Sequence, residues 1–314
     1  MVKIVVSRVL FAIPLLLIIT TFSFLLVSLI PGDPVASILG EGATPQQYAE
    51  LRAQLGLDQP LAVQYLRYMG GLFTGDLGTS ISIQPGQPVA AIVWTRLPVT
   101  LSLSLVTLVV TLVVGVLIGL AAAMSRGVTG RVAQIGSLLG VSIPNFWLGV
   151  LLVLLFSITW KVLPATGYVP IQQSPVLWAQ SLVLPVVTLG LAGIASVARQ
   201  TRGSVNDTLS RDYVRTLLAA GTPRYQIVFK HALRNAGIPV VSVLGFLFIG
   251  IFGGTIVIEQ VFAMSGIGQL TISAVTNHDI PVIQGVVVVT TIVVLIVNLA
   301  VDLLYFALNP KARR

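Results

Sequence analysis

A chain of 314 residues that is 55% hydrophobic and 9% charged, with a mean hydropathy of +0.97, falls outside the ordinary soluble class, in which charged residues make up roughly a quarter of the total. The formal charge of +8 and pI near 10.2 raise nucleic acid as a partner. The basic residues punctuate apolar runs, however, and do not interleave with polar and aromatic ones, which points to a membrane and away from nucleic acid; the absence of cysteine excludes disulfides and thiolate chemistry.

In chain order, the first element is the uncharged run Val9 to Ile30. It exceeds the roughly 7 to 15 apolar residues of a signal peptide and no small-residue cleavage site follows it, so it is expected to be a retained first span. Residues 31–96 then form a connection too long and too patterned to be a simple link. Thr44 reads as an N-cap with Pro45 in the first turn, and Gly56 to Pro60 ends that helix and starts another through Met69. A small folded extracytoplasmic subdomain is therefore expected, with a floppy surface loop as the alternative.

Five further spans are predicted at Leu101 to Met124, Ile135 to Trp160, Leu182 to Ala198, Ile238 to Ile258 and Val282 to Leu308, since a span needs roughly 20 apolar residues to cross ~30 Å of hydrocarbon. Pro144, in SIPNFW, interrupts the third of them, a break tolerated only where neighbouring helices or a watery cavity satisfy the freed carbonyls. The expected fold class is thus all-α and polytopic, with six spans: residues 1–30 as tail and first span, 31–96 as subdomain, and 97–314 as a core carrying a loop at 199–237. Six spans place both termini on one side, where 14 of the 18 basic residues fall, while seven of the ten acids fall on the other. By the positive-inside rule both termini are cytoplasmic.

Small residues punctuate the spans. Gly115 and Gly119, Gly136 and Gly140, and Gly250 and Gly254 are spaced to let helices approach closely, as bundles in lipid require. Packing within one subunit accounts for them; alternatively Gly250, Gly253 and Gly254 line a seam that slides as a pathway opens. Asn145 and Glu259 are candidate polar contacts along such a pathway.

The stretch RDYVRTLLAAGTPRYQIVFKHALRNAGIP, residues 211–239, is the most distinctive. Tyr213 to Ala220 favours helix, Gly221 suits a left-handed cap, and Thr222-Pro223 opens a second helix. In that helix Tyr225, Val228, Phe229, Ala232, Leu233 and Ala236 recur at helical spacing, with Arg224, Lys230, Arg234 and Asn235 mainly opposite. Spacing alone leaves four readings open: contact with anionic membrane lipid, topology-setting charge, a DNA-binding helix pair, or docking to a cytoplasmic protein.

At Gly221, with helix before it and HALRNA after it, the chain resembles the cytoplasmic EAA loop of ABC-importer permeases. Arg215, Thr216 and Leu217 stand where Glu-Ala-Ala would, and of the later Ile-x-Leu-Pro only Leu233 agrees; these departures resemble the peptide and nickel branch of the family. IPGDP (30–34), LGLDQPLAVQYL (55–66), GDLGTS (75–80), RLPVTLSL (96–103), SIPNFWLG (142–149), LPVVTLG (184–190) and IEQVFAMSGIGQL (258–270) extend the likeness along nearly the whole chain, to the B-type permease of dipeptide and oligopeptide importers.

The resemblance implies a type I importer fold, a heterodimer with a second homologous permease, two cytoplasmic ATPase subunits, and an extracytoplasmic binding protein that selects the peptide. Nickel chelates and glutathione are the alternative cargoes in this branch, and the bacterial inner membrane is the implied location. It also implies that Tyr213, Arg215, Thr216, Leu217, Leu218, Ala219, Ala220, Gly221, Thr222, Pro223 and Arg224 form the ATPase-coupling element. The chain has no G-x-x-x-x-G-K phosphate loop of its own, so ATP and magnesium are expected on the partner and no cofactor on this chain.

Nothing in the sequence reads as a catalytic centre. The histidines, His231 and His278, fall in different predicted compartments, so no shared metal site is expected. Asp302 is the acid placed inside a span, with Lys311 or Arg313 as a structural partner, though intramembrane acids are also functional candidates. A proton-coupled secondary transporter is the rival reading, and it would need more such acids or histidines within the spans.

Overall fold

The structure is a computed structural model that describes residues 2–30, 32–40, 42–125 and 143–308. These residues form helices and turns, with one isolated antiparallel bridge between Thr79 and Pro88. Among them, five helices are long and apolar enough to cross a membrane: Val5–Ser28, Val89–Met124, Pro175–Leu209, Arg224–Val261 and Ile280–Leu308. The expected third span is described only in its second half, as Asn145–Leu152 behind the N-cap Pro144, prolonged by a π-helical turn Val153–Thr159. The rest of that span, with Gly136 and Gly140, lies outside the described residues.

The chain divides into two compact units, one of residues 1–100 with 265–296 and the other of residues 101–264 with 297–314. In the first unit, α1 (Val2–Ser28) is followed by α2 (Pro34–Leu39), α3 (Pro45–Gln54) and α4 (Leu61–Thr74). The stretch expected to form a subdomain is helical over α2, α3 and α4, and the start signal at Thr44 is used as read. Thr44 accepts a hydrogen bond from the Gln47 amide at 3.3 Å while the Gln47 side chain accepts one from the Thr44 amide at 2.9 Å, a capping box that satisfies two otherwise orphaned donors.

Asp33 ties α2 to α3. It caps α2 by accepting from the Val35 amide at 2.9 Å, and its other oxygen accepts from Arg52 at 2.7 Å and from the Tyr48 hydroxyl. Partial burial pushes the carboxyl up, but the Tyr48 and Val35 hydrogen bonds and the Arg52 charge outweigh it and hold Asp33 below its ordinary value of 3.8. A depressed carboxylate contributes stability that is present above the unfolded pKa and is lost as pH falls through the folded one. The α2–α3 contact should therefore loosen only in acid below the usual aspartate range. In the Tyr48→Phe, Arg52→Leu double variant pepsin should cut this segment at a higher pH, within a titration spanning about pH 2 to 5.

Also in this unit are the first part of α5 (Val89–Met124), the short α10 (Ile267–Thr276) and the first part of α11 (Ile280–Leu308). Asp279, which precedes α11, is fully buried. Its Oδ2 accepts from the Ser80 hydroxyl at 2.6 Å and from the amides of Ser82 and Ile83 at 3.0 Å, and its Oδ1 from the Ile81 amide at 3.3 Å and the Val282 amide at 3.4 Å. One carboxylate thus clamps the loop before α5 and caps α11, so the charge is stabilised by amide dipoles in place of water.

The second unit contains the rest of α5, α6 (Asn145–Leu152), α7 (Pro175–Leu209), α8 (Asp212–Ala219) and α9 (Arg224–Val261, π-helical over Ile227–Ala232). The close-approach glycines fall on the seam between α5 and α7. A Cβ at Gly115 would lie 2.7 Å from the Val197 side chain, and one at Gly119 would lie 2.5 Å from the Ala198 carbonyl oxygen and 2.7 Å from Thr201. Since the Ala198 neighbour is backbone, it cannot yield by changing rotamer. Gly119→Val should destabilise the chain by about 1 to 3 kcal/mol, read as a lower thermal midpoint in detergent, with Gly119→Ala falling between it and wild type.

Candidate coupling site

The segment after α7 is built from local rules. α7 does not stop at the expected span end, Ala198, but runs to Leu209. There Val205 packs with Leu120 and Ala123 of α5 and with Val228, Ala232 and Ala236 of α9 in one buried cluster. This stalk carries α8 and the turn after it. Asp212 lies in the first turn of α8, where a negative charge suits the helix dipole. It also pairs with Arg215 at 3.6 Å with both groups exposed, a contact of little energetic weight.

The end of α8 forms a double-bonded cap. Gly221 donates to the Leu218 carbonyl and Thr222 to the Leu217 carbonyl, both at 3.0 Å, with Gly221 at φ 78°. This is the Schellman arrangement, which needs a residue in the left-handed region at the position Gly221 occupies. Pro223 is the extended cap of the next helix, whose first residue is Arg224, one residue later than the sequence suggests. The predicted helix Tyr213 to Ala220 is correspondingly shifted to Asp212–Ala219.

The turn of chain so formed is almost entirely uncovered. Val214 is buried and Leu217 and Thr222 half-buried, while Tyr213, Arg215, Thr216, Leu218, Ala219, Ala220, Gly221, Pro223 and Arg224 are exposed. Leu218, half of whose surface is open at 50%, is a large apolar side chain at the tip of a polar helix. A hydrogen bond from Asn235 to the Tyr213 hydroxyl at 3.4 Å ties α8 back to α9. In α9 the apolar face expected from spacing is only partly realised. Ile227, Val228, Ala232 and Ala236 are buried, but Tyr225 and Phe229 are exposed at 59% and 56%, because the π-helical turn over 227–232 changes the residue period there.

The candidate pathway residues do not form one group. Gly250 and Gly253 sit on an exposed face of α9 with Ser242, Phe246, Ile249 and Val257, and a Cβ on either glycine would meet nothing. Gly254 instead packs against Leu189 of α7. Asn145 is half-buried at the start of α6, and Glu259 is fully buried within its own chain. Glu259 therefore lies off the exposed α9 face. Asp302 is half-buried, and its suggested partners Lys311 and Arg313 lie outside the described residues. His278 is half-buried beside Gly32 in the first unit. Sequence reasoning missed the Asp279 clamp, whose partners lie almost two hundred positions away.

Known proteins match the chain along nearly its whole length. The profile of the family described as "Binding-protein-dependent transport system inner membrane component" matches residues 115–314, and its N-terminal companion matches residues 1–104. A protein named as a peptide transport system permease of Brucella abortus (strain 2308) is 41% identical over 100% of this chain and 99% of its own. A peptide ABC transporter permease of Sinorhizobium fredii is 40% identical over 98% of both. A glutathione transport system permease of Salmonella typhi is 41% identical over 100% of this chain and 99% of its own. Among solved structures, the MetNI methionine ABC transporter in an inward-facing conformation aligns with TM-score 0.57 and 19% identity, over 70% of this chain and 97% of that one.

Proposed function

Since the chain belongs to the family of binding-protein-dependent transport system inner membrane components, we propose that it moves di- or oligopeptides inward as one half of a translocation pathway. It is an ABC permease, not itself an enzyme; ATP is hydrolysed on separate ATPase subunits, and a substrate-binding protein delivers the cargo. The observation that carries the coupling role is the exposed α8 elbow closed by Gly221, an uncovered apolar tip on a packed stalk. In this reading one of two ATPase subunits covers residues 213–224, and ATP and magnesium bind there and not on this chain. The other half of the pathway comes from a homologous permease, which covers the exposed face of α9 around Gly250 and Gly253. Both termini and the elbow face the cytoplasm of a bacterial inner membrane, as the distribution of basic residues favours.

Energy transfer follows from the local geometry. ATP-driven closure of the partner pushes on α8, and the cluster of Leu120, Ala123, Val205, Val228 and Ala232 passes that displacement to α5, α7 and α9 together, because a packed interior does not compress. The glycine seam between α5 and α7 lets these helices shift without side chains in the way. The pathway can be weakly selective, since specificity resides in the binding protein.

A second reading has a specific observation behind it, because the glutathione permease is as similar to the chain as the peptide permeases are. Glutathione is itself a tripeptide, so the two cargoes share chemistry. Uptake of labelled dipeptide and labelled glutathione into proteoliposomes of the complete complex separates them. ATP-dependent accumulation of the dipeptide, competed only weakly by glutathione, is expected; accumulation of glutathione alone would replace the first reading with the second.

A further inference from the structure

α4 has two apolar faces, and we propose that the outer one lies in the lipid leaflet bordering the 31–96 subdomain, making α4 an in-plane membrane anchor for that subdomain. The inner face fixes its depth. The Tyr65 hydroxyl is 2.7 Å from the Thr21 hydroxyl, the Tyr65 ring meets Phe24 edge-on at 5.3 Å, and the Tyr68 ring stacks on Phe24 at 5.8 Å. α1 ends at Ser28, so at 1.5 Å per residue Phe24 and Thr21 lie about 6 and 10 Å back along the span. The Tyr65–Tyr68 turn of α4 is therefore level with the last two turns of a helix whose most apolar window is only 11% buried within the chain. Surface left uncovered at that depth meets the boundary between headgroups and acyl chains, where tyrosine rings are favoured.

The outer face has the composition this position demands. Val63, Leu66, Gly70 and Phe73 recur at helical spacing, and the three side chains are exposed by 43%, 68% and 79%. The single charge of α4, Arg67, lies at the edge of that face and donates to Gln59 at 2.8 Å. α3 in the same subdomain is the contrast: its exposed positions include Gln46, Gln47, Glu50 and Gln54 and it buries no residue, as a water-facing helix should. One helix of the subdomain is thus built for water and the other for oil. A protein-docking face carries rim polar groups free for direct hydrogen bonds, whereas the polar groups bordering this stripe, Arg67 and Thr74, are engaged within the chain by Gln59 and the Gly71 carbonyl, so lipid is the occupant. The inference uses only the membrane location of the chain and stands whether or not the cargo is a peptide.

The absence of cysteine makes the test direct. Leu66→Cys, Phe73→Cys and, as a water-facing control, Glu50→Cys are each spin-labelled in the complete complex in proteoliposomes, and collision with oxygen is compared with collision with a water-soluble nickel chelate. The oxygen-to-nickel ratio at 66 and 73 should exceed that at 50 by at least about threefold. Ratios equal to the control, or protection from both reagents, would overturn the proposal, the second because it reports a protein cover. The unsubstituted chain gives an independent readout with phosphatidylcholine carrying a diazirine in its acyl chain: labelling of the 61–74 peptide is expected, and its absence while α1 is labelled would overturn the proposal.

Discussion

Gly221→Trp is expected to leave insertion intact and to lower the thermal midpoint no more than Gly221→Ala does, while lowering substrate-stimulated ATP hydrolysis by the assembled complex about 30-fold or more. That corresponds to the roughly 2 kcal/mol of an interface hot spot. Gly221 holds φ 78° at the end of α8, and a Cβ there meets nothing within its own chain. The indole therefore has room within the subunit and projects into the space assigned to the ATPase. The backbone strain of an L-residue at this φ is separate and smaller, about 1 to 2 kcal/mol. Gly221→Ala carries the strain without the bulk and should keep most of the coupled activity. Equal losses in the two variants would mean that the turn's conformation matters and its surface does not.

Asp279→Ala should destabilise the chain by about 2 to 4 kcal/mol, since hydrogen bonds to a charged group are worth about 1.5 to 3 kcal/mol and neutral donors are left buried without an acceptor. Ser80 and the amides of Ser82 and Ile83 lose their acceptor together, and each buried donor left without a partner costs about 1 to 3 kcal/mol. Asp279→Asn keeps one acceptor oxygen of nearly the same shape and should recover part of the loss. The measurement is the thermal midpoint in detergent together with protease cleavage between residues 80 and 87, which should appear in the alanine variant at temperatures where wild type resists. An unchanged midpoint would show that the loop holds itself without the carboxylate.

The parts of the fold carried by local signals could be read from the chain. The capping box at Thr44 and Gln47, the glycine cap at 221 and the long apolar runs each act within a few residues. Helix ends set by packing could not be read. α5 begins at Val89, twelve residues before the predicted span, because Arg96 and Pro98 break the apolar run without breaking the helix. α7 outlasts its apolar run because Val205, beyond the polar residues Arg199 and Arg202, gains a buried contact with Leu120 and Ala123. The face of α9 was misjudged at Tyr225 and Phe229 because a π-helical turn has no simple signature in residue spacing.

The helix, glycine cap and following helix at 212–224 were legible because capping is local, whereas the surroundings of the other glycines were not. Among the glycines singled out, Gly115 and Gly119 both pack tightly against α7, while of the equally spaced Gly250 and Gly254 the first faces open space and the second meets Leu189. Identical spacing thus serves two different surroundings, which only the fold distinguishes. The Asp279 clamp was invisible for a related reason: an aspartate before a helix is an ordinary cap, and nothing near it in sequence announces the loop at 80–83.

The central claim, that the α8 elbow is where the ATPase acts on this permease, is tested most directly by cross-linking. With no native cysteine in the chain, Leu218→Cys can be paired in the assembled complex with a thiol-to-amine reagent of short reach. Covalent capture of an ATPase subunit, changing in yield between the ATP-bound and nucleotide-free states, is the predicted result. A Leu218→Cys chain that captures no ATPase subunit in either state, in a complex that still transports, would contradict the account.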